Sequence, residues 1–111
     1  MFDLDEFVRR NCGDLELSRD VANIFIDHRP EYTESIRMAA AAHDADALRQ
    51  TAHKLKGAAV NLALPLLAET ADVIESVAMA GDLKKAGELL PELELRFEQA
   101  VEAIRKLLIA S

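Results

Sequence analysis

The apolar residues in the last third of the chain follow one regular spacing. They recur in alternating steps of four and three, at Ala86, Leu90, Leu93, Phe97, Ala100, Ile104 and Leu107. A helix turns by about 100° per residue, so this spacing places the apolar side chains in a single stripe. Such a stripe is typical of a helix that packs nearly parallel to its neighbours. The chain is therefore expected to contain at least one long helix of a helical bundle.

Residues that begin or end helices divide the rest of the chain into five further segments. The first runs from about Asp3 to Arg10 and stops at the sequence NCGD, and the later boundaries are marked by Asp14, Pro30, Asp44, Pro65, Gly81 and Asp82. Aspartate caps the first N–H groups of a helix, proline suits its first turn, and glycine ends it. Pro91 either kinks the last helix or begins its main part. In the second segment we expect one apolar face, formed by Leu17, Val21, Ile24 and Phe25.

These segments together predict an all-α fold. Consecutive amphipathic helices with short connections favour antiparallel neighbours, so we expect an up-and-down four-helix bundle built from the four long segments after Arg29. The two short N-terminal helices would cover one end of it. A chain of 111 residues can bury one core, so residues 1–111 are expected to form a single domain and a monomer. The initial Met favours a free-standing protein over an excised module.

Charge and composition exclude several classes of function. A net charge of −7 argues against general binding to nucleic acid and against docking on an anionic membrane. No apolar run approaches the length of a membrane span, and MFDLDEFVRR lacks the uninterrupted apolar core of a secretory signal. Cys12 is the only cysteine, which suits a reducing compartment, so we expect a cytoplasmic protein. The three histidines share no metal-ligand spacing, so no metal site is expected.

The fourth segment contains a histidine that is predicted to face solvent. Within ADALRQTAHKLKGAAVN and the leucine that follows, helical geometry groups one buried stripe, made of Leu48, Thr51, Ala52, Leu55, Ala58, Ala59 and Leu62. His53 points almost directly away from the centre of this stripe. Val60, two turns later, lies on the same outward face as His53.

A glycine in the interior of this helix indicates that something approaches the histidine closely. Gly57 lies one turn after His53, and glycine in a helix costs about 1 kcal/mol relative to alanine. The missing side chain clears space beside the imidazole. The alternative, that Gly57 eases close helix packing, is weakened because position 57 points toward solvent. Arg49 and Lys56 place positive charge where an anion bonded to the ring would lie. The site would thus combine a nucleophilic ring nitrogen, open space beside it and nearby positive charge. This combination suggests phosphoryl transfer onto histidine.

This constellation resembles the histidine-containing phosphotransfer (HPt) domain of two-component phosphorelays. The family core His-x-Leu-Lys-Gly is matched by His53, Leu55, Lys56 and Gly57, and the continuation AHKLKGAAVNL is similar as well. Glu75 on the next helix and the GDL start of the last helix also fit. The sequence departs from the family at Ala63, where glycine is common. Because alanine does not easily take positive φ, we expect a different turn there, or positive φ at Asn61.

The resemblance implies a carrier of phosphoryl groups. His53 would accept the group from an aspartyl phosphate of a response-regulator receiver domain, or within a hybrid sensor histidine kinase, and pass it to another receiver. Lys56 and, less directly, Arg49 would hold phosphoryl oxygens, and Glu75 would orient the second ring nitrogen. Gly57 would admit the partner's loops, and Val60 and Ala59 would help to form an apolar docking patch. The chain itself would need no cofactor, because Mg²⁺ would come with the receiver.

Other interpretations remain open or are excluded by particular residues. A degenerate family member would act as an adaptor that binds receivers or kinases without phosphotransfer. The dimerising histidine domain of a sensor kinase is excluded, because Lys54 and Gly57 stand where that domain has an acidic residue and a proline. Arg49 has a second possible role, since it can form an ion pair with Asp44 or Asp46. Lys54 is interpreted as an ordinary surface residue.

Overall fold

A computed structural model describes residues 2–109, which are helical apart from short connections. Seven α-helices follow one another in this part of the chain, and it contains no β-strand. They are α1 (Leu4–Arg10), α2 (Leu15–Asp27), α3 (Arg29–Ala41), α4 (Ala45–Asn61), α5 (Pro65–Met79), α6 (Leu83–Glu88) and α7 (Leu90–Ile104), and a π-helical turn (Arg105–Ile109) follows α7.

Helices α3, α4, α5 and α7 form an antiparallel up-and-down four-helix bundle. Each of these helices packs against its neighbour, and the contact of α3 with α7 closes the ring. The molecule is elongated, with extents of 41 × 20 × 19 Å, as expected when helices pack along a common axis. Fully buried leucine, isoleucine and phenylalanine side chains fill the centre: Phe7, Ile36, Leu48, Leu55, Leu67, Ile74, Leu93, Phe97 and Ile104. The predicted fold class is confirmed.

Aspartates at the ends of three turns cap the helices that follow, as predicted from the boundaries. Asp14, Asp44 and Asp82 each accept a hydrogen bond from the backbone N–H three residues later, at 3.0, 3.0 and 3.1 Å. The residue before each aspartate has positive φ, and at two of the turns that residue is glycine. This arrangement satisfies N–H groups of the new helix and ends the old one within a few residues. The short turns keep consecutive helices antiparallel.

The turn between α4 and α5 has the same backbone hydrogen bonds as the turns before Asp44 and Asp82. Both expectations for it, a different turn or positive φ at Asn61, were therefore wrong. Asn61 remains helical, and Ala63 itself takes positive φ, at 56°. The N–H of Ala63 donates to the carbonyl of Val60 at 3.1 Å, and that of Leu64 donates to the carbonyl of Ala59 at 2.9 Å. Leu64 begins α5 without a capping side chain. The backbone hydrogen bonds and the burial of Ala63 in the core outweigh the cost of this conformation for alanine.

Helix α1 supports this turn from outside the bundle. The N–H of Asp3 donates to the carbonyl of Ala63 at 2.9 Å, and Arg10 donates from its guanidinium to the carbonyl of Val60 at 2.6 Å. Phe2 is buried in the core beside it. The N-terminal helix therefore covers the end of the bundle at which α4 finishes and α5 begins.

The apolar face predicted for α2 is only partly correct. Leu17 and Ile24 are 43% and 57% exposed, whereas the buried residues of this helix are Ser18, Ala22 and Phe25. The ring of Phe25 stacks on that of Phe97 of α7, with centroids 5.1 Å apart. This aromatic contact sets the rotation of α2 about its axis and turns the two aliphatic side chains outward.

Pro91 lies in the first turn of the last helix. Of the two alternatives for this proline, it therefore begins the main part of the helix and does not kink it. Helix α7 starts at Leu90, and Leu89 separates it from the short α6. The predicted stripe is buried at five positions, Ala86, Leu93, Phe97, Ala100 and Ile104. Leu107 is instead 47% exposed and Leu108 is 1% exposed. The π-helical turn has more residues per turn than an α-helix, so the next inward position shifts by one residue.

Candidate functional site

Helix α4 presents His53 on the outside of the bundle. The opposite side of α4 is fully buried at Leu48, Ala52, Leu55 and Ala59, which fixes the rotation of the helix. The side chain of His53 is 64% exposed. The predicted direction of the histidine is confirmed.

Glu75 of α5 holds one ring nitrogen of His53. Its Oε2 lies 2.7 Å from Nδ1 of the ring, although the two residues are 22 positions apart in the sequence. Small residues in the interface between these helices, Ala52, Ala59 and Ala71, are completely buried and allow α4 and α5 to approach closely. Glu75 is itself only 9% exposed, so the carboxylate is fixed by its surroundings while the ring it contacts remains accessible.

Lys56 completes the site by binding two carboxylates of α5. Its Nζ lies 2.8 Å from Oε1 of Glu75 and 3.1 Å from Oδ1 of Asp72. These hydrogen bonds raise the pKa of Lys56 above its ordinary value. The hydrogen bond from Lys56, assisted by the one to His53, lowers the pKa of Glu75, although burial acts in the opposite direction. Both groups are therefore charged at neutral pH.

The charge on Glu75 determines the tautomer of the neutral imidazole. An ionised carboxylate can only accept hydrogen bonds, so Nδ1 carries the proton and donates it to Glu75. The lone pair of a neutral ring then lies on Nε2, the nitrogen farther from the backbone. His53 is thus an exposed imidazole with a defined orientation.

The surface beside His53 is open because position 57 has no side chain. A Cβ built on Gly57 would meet no atom within 4 Å. The alternative that Gly57 eases close helix packing is therefore wrong. Val60, two turns after His53 on the same face, is 48% exposed and provides an apolar surface there.

The structure shows a different setting for two of the residues proposed for the site. A guanidinium nitrogen of Arg49 lies 3.0 Å from Oδ1 of Asp46, so Arg49 forms the local ion pair, and its contact with phosphoryl oxygens stays a prediction. Ala59 is 0% exposed and cannot contact a partner, so its assignment to the docking patch was wrong. Ala59 belongs to the buried stripe of α4, where its small size serves the contact with α5.

Two contacts near the site were not predicted from the sequence. Asp72 precedes Glu75 by three positions, and this spacing on one helix face was a signal that the two carboxylates lie side by side. No sequence pattern indicated the hydrogen bond from Arg10 to the carbonyl of Val60, because it joins helices that are far apart in the sequence.

The described residues contain no cluster of metal-binding side chains and no helix that could cross a membrane. Within residues 2–109, no three histidine, cysteine or acidic side chains lie together so as to hold a metal ion. In the same part of the chain, no helix has the length and apolar content needed to cross a bilayer.

Comparison with known proteins identifies the family. Residues 20–106 match the family described as the Hpt domain. A crystal structure of histidine-containing phosphotransfer protein B (HptB) from Pseudomonas aeruginosa PAO1 is similar to this chain, with a TM-score of 0.89 and 25% identity over 99% of this chain and 96% of that one. No curated protein matches the sequence. Since the family match covers most of the chain and includes the exposed histidine of α4, the chain belongs to the Hpt domain family and is a phosphotransfer-type protein.

Proposed function

We propose that His53 carries a phosphoryl group between receiver domains of a two-component phosphorelay. The observation that carries this proposal is the geometry of the ring, whose Nδ1 is held by Glu75 at 2.7 Å while the rest of the side chain is exposed. The open surface at Gly57 leaves room for the receiver's loops. A fixed ring orientation, an exposed side chain and open space beside it are what a nucleophile needs when it must enter the active site of another protein.

In the accepting step, the lone pair of Nε2 attacks the phosphorus of an aspartyl phosphate. The Nε2–P bond forms as the P–O bond to the aspartate breaks, and the electron pair of that bond remains on the aspartate carboxylate. The imidazole keeps its Nδ1 proton and becomes a phosphorylated imidazolium. Its Nδ1–H continues to donate to the ionised Glu75, which stabilises the new positive charge.

In the donating step, a carboxylate oxygen of the acceptor aspartate attacks the same phosphorus. The Nε2–P bond breaks and its electron pair returns to Nε2, so the leaving group is a neutral imidazole. No proton has to move in either direction, because Nδ1 remains protonated and bound to Glu75 throughout. Glu75 therefore serves transfer in both directions.

Lys56 and the partner would supply the remaining chemistry. Lys56 shares Glu75 with the ring, and we assign its ammonium to binding the phosphoryl oxygens during transfer. Mg²⁺ and the reacting aspartates belong to the receiver, and Val60 contributes to the docking surface. We place this carrier in the cytoplasm as a monomer, where receivers and hybrid kinases are its partners.

Labelling by a phosphorylated receiver tests the proposal. Wild-type protein should acquire acid-labile, base-stable phosphate, and His53→Gln should abolish it while leaving helix content and Tm nearly unchanged. His28→Gln is the matched control, since His28 is also exposed but lies at the junction of α2 and α3. Labelling that survives His53→Gln would contradict the proposal. Receiver binding by wild-type protein without labelling would indicate the adaptor function instead.

A further inference from the structure

The ammonium of Lys56 is held by the carboxylate that also binds His53. Glu75 uses one oxygen for Nδ1 of His53 and the other for Nζ of Lys56, at 2.7 and 2.8 Å. Asp72 holds the same Nζ at 3.1 Å. A phosphoryl group would be bonded to Nε2, the other ring nitrogen. A shift of Nζ toward its oxygens would weaken the contacts of Nζ with these carboxylates.

Asp72 is the contact that opposes this movement. Its Oδ1 lies 3.1 Å from Nζ, and its side chain is 58% exposed, compared with 12% for Glu75. The Asp72 carboxylate is therefore well solvated and can lose Lys56 without being left buried and unpaired. The flexible lysine stem allows Nζ to exchange one carboxylate for another anion while it remains near the ring.

We propose that Asp72 competes with the phosphoryl group for Lys56, and thereby sets how readily phosphorylated His53 gives up its phosphoryl group. This inference rests on the proposed function of His53. A phosphoryl group adds about two negative charges beside two carboxylates that share one ammonium. While Asp72 retains part of the attraction of Lys56, the phosphorylated form is less stabilised than it would be with a free lysine. The group is therefore passed on rather than stored.

The partition of phosphoryl between this protein and a receiver measures the effect. The purified protein is first phosphorylated with phosphoramidate, in which the P–N bond breaks and ammonia leaves as Nε2 bonds to phosphorus. It is then mixed with a receiver and Mg²⁺, and the ratio of phosphohistidine to phosphoaspartate is read at the plateau. Asp72→Asn should raise this ratio about two- to fivefold, as expected for the loss of one exposed ion-pair partner. Asp72→Glu keeps the carboxylate and should restore the ratio toward the wild-type value.

Asp46→Asn is the matched control for a change of net charge. It removes an exposed carboxylate that pairs with Arg49 and accepts a hydrogen bond from Gln50, on the same helix as His53 but ten positions before Lys56. The plateau ratio should remain at the wild-type value. An equal rise in both variants would overturn the proposal, because net charge alone would then explain it. An unchanged or lower ratio in Asp72→Asn would overturn it as well.

Combining Asp72→Asn with Lys56→Ala separates competition from direct repulsion. If Asp72 acts through Lys56, adding Asp72→Asn to Lys56→Ala should leave the plateau ratio of the single Lys56→Ala variant unchanged. A persistent two- to fivefold rise would mean that Asp72 repels the phosphoryl group directly, and would contradict the proposal. Wild-type protein that takes no phosphoryl on His53 would instead refute the proposed function, which distinguishes the two failures.

Discussion

Helix α4 carries two cations that each bind a carboxylate, and the two contacts differ in what they hold in place. Arg49 contacts Asp46 at 3.0 Å, and two turns later Lys56 contacts Glu75 at 2.8 Å. The side chains of the two cations are 39% and 31% exposed. The first pair is confined to one turn of one helix, and its carboxylate is 72% exposed. The second joins two helices, and its carboxylate is mostly buried and also binds His53.

This difference shows why charge near a histidine does not by itself make a site. An exposed pair within one helix contributes only about 0.3–0.5 kcal/mol and holds nothing else in place. Glu75 is fixed by packing, and its two oxygens bind Nδ1 of His53 and Nζ of Lys56. A change at either of these residues therefore alters the contact that Glu75 makes with the other. His53, Lys56 and Glu75 therefore form a coupled site, whereas Asp46 and Arg49 belong to ordinary helix surface.

Glu75→Ala should have the largest effect on transfer, because it removes the residue that couples the site. His53 would lose the acceptor for Nδ1–H, and Lys56 would retain only Asp72. We expect the rate of phosphoryl transfer to fall about 10- to 100-fold, as for other residues that orient a reactive imidazole. Glu69→Ala, at an exposed position of the same helix, is the control. Rapid-quench labelling by a phosphorylated receiver measures both, and equal rates would show that Glu75 does not orient the ring.

Gly57→Leu should reduce transfer about tenfold or more while the fold remains intact. Leucine would occupy the open surface beside His53, yet it improves helix propensity, and its Cβ meets no atom within 4 Å. Gly57→Ala, with a much smaller side chain, should transfer nearly normally and raise the free energy of unfolding by up to about 1 kcal/mol. Urea denaturation and labelling rates measured side by side test this. A large loss of stability in the leucine variant would indicate that position 57 is packed after all.

Lys56→Ala should slow transfer about tenfold with little change in Tm. The variant removes the cation that shares Glu75 with the ring, and with it the charge that would meet the phosphoryl oxygens. Lys54→Ala removes an exposed lysine two residues earlier and should leave the rate unchanged. If the two variants transfer equally well, Lys56 is not part of the chemical step.

The parts of this site that the sequence predicts are those governed by local geometry. The buried stripe of α4 fixes the direction of His53, and the aspartate caps fix where the helices begin. Glu75 was found through the family resemblance, because helical periodicity alone does not say which residue of a neighbouring helix faces the histidine. The cross-helix contact of Lys56 with Asp72 depends on how closely α4 and α5 approach.

The remaining differences also come from packing between distant parts of the chain. The stacking of Phe25 on Phe97 sets the rotation of α2, and no periodicity in α2 itself could show that Leu17 and Ile24 are turned outward. Ala63 takes positive φ because the turn beneath it is closed by backbone hydrogen bonds and by α1. The favoured φ range of alanine predicts the opposite, and here tertiary contacts outweigh the local preference.

Arg49→Ala should have the smallest effect, and it tests the comparison most directly. The guanidinium contacts Asp46, and the loss of an exposed pair separated by three residues should lower the free energy of unfolding by no more than about 0.5 kcal/mol. Transfer should remain within about twofold of wild type, since the guanidinium of Arg49 pairs with Asp46 and not with Glu75, the carboxylate that binds His53 and Lys56. The measurement is the same labelling rate used for Lys56→Ala, at low and at physiological ionic strength. A tenfold loss at both ionic strengths would mean that Arg49 leaves Asp46 to bind the phosphoryl group, so that both ends of the exposed face of α4 take part in transfer.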